Sequence, residues 1–116
     1  MSHTMNIKVN FSDRDVLQTA CKRLKIDFKQ GSFALFSGRV EGVGIFLPGW
    51  RYPAILKEDN TLFYDNYGGK WGDIIELHNL EAYYGVEKAK KEAQMQGYKY
   101  YETQSDEGYP QLVVQL

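Results

Sequence analysis

The sequence predicts an α+β fold of two layers, in which two helices pack on one face of a mainly antiparallel sheet. Short β-branched and aromatic segments are frequent, and the nine Tyr, six Phe and two Trp residues are types that strands favour. Two longer segments carry apolar residues at helical spacing. The segments follow the order β-α-β-β-β-β-β-α-β-β, and a single sheet covered by both helices is the simplest arrangement that buries their apolar faces.

The first two elements are a strand and a helix. Residues 6–11 alternate between polar and apolar side chains, a pattern typical of a half-buried strand. Ser12 is expected to cap the helix that follows, because its hydroxyl can accept a backbone N–H of the first turn. The apolar side of that helix contains Val16, Leu17, Ala20, Cys21 and Leu24. We therefore expect Cys21 to pack against the sheet as a small hydrophobic side chain.

Glycines at positions 31, 38, 42 and 44 divide the next part of the chain into short apolar runs. Residues 26–29, 32–37 and 43–47 are predicted to be strands, with turns or bulges at the glycines. Pro48 and Gly49 then favour a turn.

A predicted hairpin follows, formed by residues 52–57 and 61–65. Asp59 and Asn60 are expected to form its loop, because their side chains tolerate the backbone angles of a turn. A two-residue loop at this place puts Leu56 opposite Phe63.

The last part of the chain is predicted to be a helix and two strands. The helix extends from Ile74 to Gly97, a residue suited to a left-handed C-cap, and it carries a stripe of small apolar residues. Residues 98–103 and 111–116 are the strands. The apolar side of the last one is expected to be buried; it contains Leu112, Val114 and Leu116.

Length and charge limit the class of protein. At 116 residues the chain is predicted to form one domain, residues 1–116. Its formal net charge of −1 argues against a general binder of phosphate backbones, so a nucleic-acid partner is not expected. One cysteine favours a reducing compartment. The lack of a secretory signal or an apolar run of ~18 residues predicts a cytoplasmic protein without a membrane span, or a stromal one in a plastid.

Several short motifs resemble one family, the hypothetical chloroplast open reading frame thirty-five group of cyanobacterial, algal-plastid and cyanophage proteins. They are Ser2-His3, Asp13, Tyr64-Asp65, Tyr67-Gly68, a tyrosine at 83 or 84, Gly97-Tyr98 and the alternating last strand. The segments KQGSFALFSGRVEGVG and LPGWRYP depart from the family, which usually has a longer basic loop in this region. The resemblance implies no established activity, because the family is uncharacterised.

No residue pattern indicates a catalytic or metal site. His3, Cys21 and His78 lack the spacing of metal ligands, so neither a metal nor another cofactor is expected. There is no GxSxG motif. Asp65 and Asp73 flank a glycine-rich loop and could act as paired carboxylates in a small enzyme, although residues at such places usually cap turns and helices.

The best candidate site is that loop, YGGKWGD, together with the segment before the hairpin. The hypothesis is a single exposed aromatic-basic binding surface; its members are Trp50, Arg51, Tyr67, Lys70 and Trp71. The alternative is a plain turn with Trp71 packed on the core.

The predicted function is that of a non-enzymatic accessory or binding protein, which acts through a protein partner or by self-association. It rests on the lack of a catalytic pattern and on aromatic residues beyond the needs of a core. One alternative is single-stranded nucleic-acid binding, with bases stacked on Tyr98, Tyr100 and Tyr101 beside Lys99. The other is the acidic enzyme.

Overall fold

The computed structural model describes residues 4–116, which form two helices and seven strands. The elements are β1 (Thr4–Lys8), α1 (Arg14–Arg23), β2 (Asp27–Leu35), β3 (Gly38–Phe46), β4 (Ala54–Leu56), β5 (Thr61–Asp65), a 3-10 turn (Tyr67–Gly69), α2 (Ile74–Gln96), β6 (Lys99–Gln104) and β7 (Pro110–Gln115). Strands β1-β5-β4-β3-β2 form an antiparallel sheet, and β6 and β7 form a separate pair. The predicted mixed α+β, mainly antiparallel class is confirmed.

The core lies between the two helices and the inner face of the five-stranded sheet. Leu17 of α1 and Leu80 of α2 are fully buried there against Leu62 of β5 and its neighbours. Cys21 is 1% exposed, and desolvation raises the pKa of its thiol to about 12. The cysteine packs as a small hydrophobic residue, as its position on the helix predicts.

Helix α1 is capped by Asp13 and not by Ser12. The Asp13 carboxylate accepts the Val16 N–H at 3.2 Å, and it also pairs with Lys91 and Lys88 of α2, whose Nζ atoms lie 2.6 and 3.4 Å away. The hydrogen bond from Lys91 is the main reason why the Asp13 pKa falls to about 2. A carboxylate can use these two cations and a hydroxyl cannot, so contacts with α2 determine the choice of cap.

Two expectations about the strands were wrong. Predicted strands 26–29 and 32–37 are one strand, β2, because Gly31 stays in the ladder opposite Gly42 of β3. In the β4-β5 hairpin Leu56 pairs with Leu62 and not with Phe63. Asn60 adopts a left-handed conformation, with φ of 65°, which makes the loop three residues long. That register places both leucines on the core face.

A single-sheet arrangement would require the last two strands to extend the main sheet, and they do not. They form their own hairpin, which packs on α2. The expected burial of the last strand was also wrong, because Val114 is 37% exposed and Leu116 is 98% exposed. A two-stranded sheet has few neighbours that could cover this side.

An ion-pair network attaches the C-terminal hairpin to both helices. Arg23 of α1 donates two hydrogen bonds to Glu102 of β6, at 2.9 and 2.8 Å, and a third to Glu87 of α2 at 2.7 Å. Lys90 lies between the two glutamates and pairs with both. The hydrogen bond from Arg23 is the largest cause that lowers the pKa of Glu102 from 4.5 to about 2.

We expect this network to make the fold sensitive to acid. Because the Glu102 pKa is lower in the folded chain, its contribution is complete above about pH 4.5 and is lost as the pH falls towards 2. The variant Glu102→Gln should lose about 1–2 kcal/mol of unfolding free energy at pH 7, after allowance for solvent screening, and less at pH 2.5. Denaturant unfolding at both pH values measures this. Since Asp13 titrates in the same window, the comparison is between the variant and the wild type at each pH, and an equal difference at both would contradict the assignment.

The distal half of the β2-β3 hairpin folds over the outer face of the sheet, the face away from the helices. β1 and β2 are opposite edges of the sheet, yet the hydroxyls of Thr4 and Ser37, at the tip of the hairpin, lie 2.9 Å apart. A Cβ at Gly42 would lie 2.6 Å from the Leu56 carbonyl oxygen, so the β3 backbone is in direct contact with β4 at this point. Ile55, which points outward, is therefore fully buried. The outer face is thus covered by the chain's own hairpin and is not an open apolar surface.

No helix in residues 4–116 is both long enough and apolar enough to cross a membrane.

Candidate functional site

The glycine-rich loop after β5 has a defined structure held by Asn66. The Asn66 carbonyl accepts the N–H groups of Gly69 and Trp71 at 3.0 and 2.9 Å, and its side-chain amide donates to the Gly72 carbonyl at 3.3 Å. Gly68 and Gly69 have φ of 61° and 101°, values that glycine adopts without strain. This turn fixes the directions of Tyr67, Lys70 and Trp71.

Aromatic rings and two cations meet around Trp71. Its ring stacks on Tyr67, with centroids 4.8 Å apart and planes 23° from parallel. The Arg51 guanidinium lies 5.2 Å from the centre of the Trp71 ring, and the Lys70 ammonium lies 4.8 Å from the centre of the Tyr67 ring. Such distances allow a cation-π attraction. Arg51 is also held through its backbone, because its N–H donates to the Trp71 carbonyl at 2.8 Å.

Two further rings belong to this group and are not found by the sequence analysis. Phe36 and Tyr52 lie with their centroids 5.3 and 5.6 Å from that of Trp71. Phe36 comes from the tip of the β2-β3 hairpin, which reaches this place only because the hairpin folds over the sheet. In the local sequence Phe36 stands out only as a large apolar residue near the end of a predicted strand. We call the group of Phe36, Arg51, Tyr52, Tyr67, Lys70 and Trp71 the aromatic-basic cluster.

Trp50, the fifth predicted member, lies on the core side. Its ring packs on Tyr64, with centroids 5.5 Å apart, and its Nε1–H donates to the Asp73 carbonyl at 2.9 Å. A Cβ at Gly72 would lie 2.5 Å from the Trp50 ring, so the loop backbone is in direct contact with the indole. Trp50 thus packs between the loop backbone and the core, whereas the other four predicted residues meet in the cluster.

The cluster presents positive charge and apolar surface to solvent. Arg51 and Lys70 are exposed, and 59% of Phe36 is accessible. Within residues 4–116 neither cation forms an ion pair with a carboxylate. Tyr67 and Trp71 are half-buried, so they are held firmly while part of each side chain stays accessible.

The two carboxylates of the alternative enzyme hypothesis have different surroundings. Asp73 caps α2, since its carboxylate accepts the Ile75 N–H at 3.0 Å. Asp65 is 1% exposed, and neither of its carboxylate oxygens accepts a hydrogen bond from a described residue. A general base has to come within hydrogen-bond reach of a substrate proton. The buried Asp65 carboxylate does not meet that condition, so this geometry offers no support for a catalytic pair.

The described part of the chain contains no group of three His, Cys, Asp or Glu side chains that could hold a metal ion. Cys21 is buried in the core, and His78 is exposed on α2. His3 lies outside the described residues.

The tyrosines of β6 do not share one face. The Tyr100 hydroxyl accepts a hydrogen bond of 2.7 Å from Gln94 of α2, so this ring faces the helix. The adjacent Tyr101 points to the other side and is 55% exposed. A continuous platform for stacked bases, on which the nucleic-acid hypothesis depends, is therefore not present on this strand.

An open groove of about 800 Å³ lies between the distal hairpin and the β4-β5 loop. Arg14 on its wall is fully engaged, because its guanidinium donates to the Phe11 and Lys57 carbonyls and to the Asn60 side chain. Arg39 is bonded to Ser32. These bonds give both arginines a role in holding the fold.

Comparison of the chain with protein-family models, with curated proteins and with solved structures gives no match.

Proposed function

We propose that this protein is a non-enzymatic accessory or binding protein, and that its aromatic-basic cluster contacts a protein partner. The observation that carries the proposal is the arrangement around Trp71. Its ring stacks on Tyr67 and lies under the Arg51 guanidinium, with Phe36 beside it and 59% exposed.

The residue types favour a protein as the partner. Trp, Tyr and Arg are the side chains most enriched at the energetic centres of protein interfaces. Rigid rings contribute a large contact area and lose little conformational entropy when they bind. Here the Asn66-centred turn and the backbone bond between Arg51 and Trp71 fix the rings further, which lowers the cost of ordering them.

The charge of the cluster indicates the chemistry of that partner. Arg51 and Lys70 have no carboxylate partner among the described residues and lie beside exposed apolar surface. A complementary surface would offer a carboxylate next to an apolar side chain, so that the acid pairs with a cation while the apolar group packs on Phe36.

The resemblance to the hypothetical chloroplast open reading frame thirty-five group belongs to the same proposal. On this proposal the protein acts in the cytoplasm of a cyanobacterium or of a phage-infected host cell, or in the plastid stroma of an alga.

The test is capture of partners from a lysate of the native host, followed by mass spectrometry. Replacement of both cations, Arg51→Ala with Lys70→Ala, is expected to reduce recovery of the specific partner on the order of tenfold or more, because it removes the charges that pair with the partner. The matched control, Lys22→Ala with Lys99→Ala, removes the same net charge from exposed positions outside the cluster and should keep the partner.

Undiminished capture of every partner by the first variant would contradict the proposal. A salt-dependent mobility shift of a labelled single-stranded oligonucleotide that the first variant loses would support nucleic-acid binding instead.

A further inference from the structure

The outer edge of β7 has properties that set it apart from the other strand edges. The five-stranded sheet ends at β1 and β2, and the two-stranded sheet ends at β6 and β7. Charged residues are present in three of these strands, for example Lys8 in β1, Lys29 in β2 and Glu102 in β6. β7, with the sequence PQLVVQ, has none. Charged side chains on edge strands prevent pairing with other chains, and β7 lacks this protection.

The polarity pattern of β7 is symmetric about Val113. Residues 111 to 115 read Gln-Leu-Val-Val-Gln. If two copies pair antiparallel about a twofold axis at Val113, Gln111 of each copy lies opposite Gln115 of the other, and Leu112 lies opposite Val114. Polar residues then meet polar residues, and apolar residues meet apolar ones, without like charges in opposition.

Uncovered apolar side chains lie next to this edge. Met95 is 77% exposed, Tyr98 is 42% exposed and Leu116 is 98% exposed. With Val114 they line a groove of about 500 Å³ between β7 and the end of α2. A twofold axis perpendicular to the sheet keeps both copies of α2 on the same face of the joined sheet. The second copy therefore places its own exposed apolar side chains on the same face of the joined sheet as this groove.

We propose that a second copy of this chain pairs with β7, so that the two C-terminal hairpins form a continuous four-stranded antiparallel sheet. The charge neutrality of the strand, its symmetric pattern and the exposed apolar residues beside it all fit this occupant. The surface is separate from the aromatic-basic cluster, and the pairing does not depend on the function proposed for that cluster.

Sedimentation velocity of the full chain at concentrations up to about 1 mM tests the pairing. The wild type should sediment as a concentration-dependent dimer. Two variants differ in charge at position 111 alone. The first, Gln111→Glu with Gln115→Glu, puts like charges opposite each other across the axis and should weaken the dimer about tenfold or more. The second, Gln111→Lys with Gln115→Glu, puts opposite charges there and should keep the dimer.

Both variants place the same residue opposite Lys99 of β6, and position 111, where they differ, lies opposite the uncharged Thr103. Far-ultraviolet circular dichroism and the thermal midpoint establish that each is folded. A wild type that is monomeric over the whole range, or equal association of the two variants, would overturn the proposal. The Arg51→Ala, Lys70→Ala variant should dimerise like the wild type, which separates this result from the test of the cluster.

Discussion

Replacement of Gly42 by alanine is expected to lower the free energy of unfolding by about 3 kcal/mol. The new Cβ would lie 2.6 Å from the Leu56 carbonyl oxygen and 2.8 Å from Ile55 Cγ2. The first of these contacts is with backbone of a fully paired strand, which cannot rotate away. In addition, φ at Gly42 is 154°, an angle that side chains with a Cβ rarely adopt. Chemical denaturation monitored by circular dichroism measures the loss.

The matched control is Gly85→Ala in α2. A Cβ at Gly85 meets no atom within 4 Å, and the residue is helical, so this variant should gain up to about 1 kcal/mol. Equal stability of the two variants would show that Gly42 does not approach β4 as closely as the structure has it. Because Phe36 lies at the tip of the hairpin that contains Gly42, Gly42→Ala should also reduce partner binding by the aromatic-basic cluster.

The local features of the fold were predictable, because each depends on neighbouring residues. Apolar spacing identifies α1 and α2, and Gly97 ends α2 as a left-handed cap, with φ of 77°. Short apolar, β-branched and aromatic runs locate most of the strands. The features that sequence reasoning missed depend on distant residues. Asp13 caps α1 in place of Ser12 because Lys91, 78 positions later, pairs with it.

In the candidate site, too, the contacts between nearby segments were predictable and the contacts with distant residues were not. Arg51, Tyr67, Lys70 and Trp71 come from two segments joined by one short hairpin, and a local interpretation brings them together. Phe36 joins them because it lies at the tip of the β2-β3 hairpin, which folds over the sheet, and no feature of the segment around Phe36 predicts that contact. The position of Trp50 was not predicted either, because its close contact with Gly72, 22 positions later, is not visible in the local sequence.

Replacement of Phe11 by alanine is expected to cost about 3–5 kcal/mol, the largest loss of any single change considered for this chain. Phe11 is 1% exposed and meets Tyr84 of α2 edge to face, with centroids 5.2 Å apart. Its removal leaves a cavity where the start of α1 meets α2, beside the bond from the Asp13 N–H to the Tyr84 hydroxyl. Thermal and denaturant unfolding measure the effect, and a variant too unstable to purify would agree with it.

Phe36→Ala makes the same chemical change at a place where the ring is 59% exposed, so its cost should be below about 1 kcal/mol. The two variants therefore distinguish a buried ring of the core from an exposed ring of the aromatic-basic cluster. Phe11 should affect folding strongly, and Phe36 should leave folding nearly intact while it weakens partner capture by the aromatic-basic cluster. If Phe36→Ala were as destabilising as Phe11→Ala, the ring would belong to a second core under the hairpin, and the cluster would lose its central apolar contact as a binding surface.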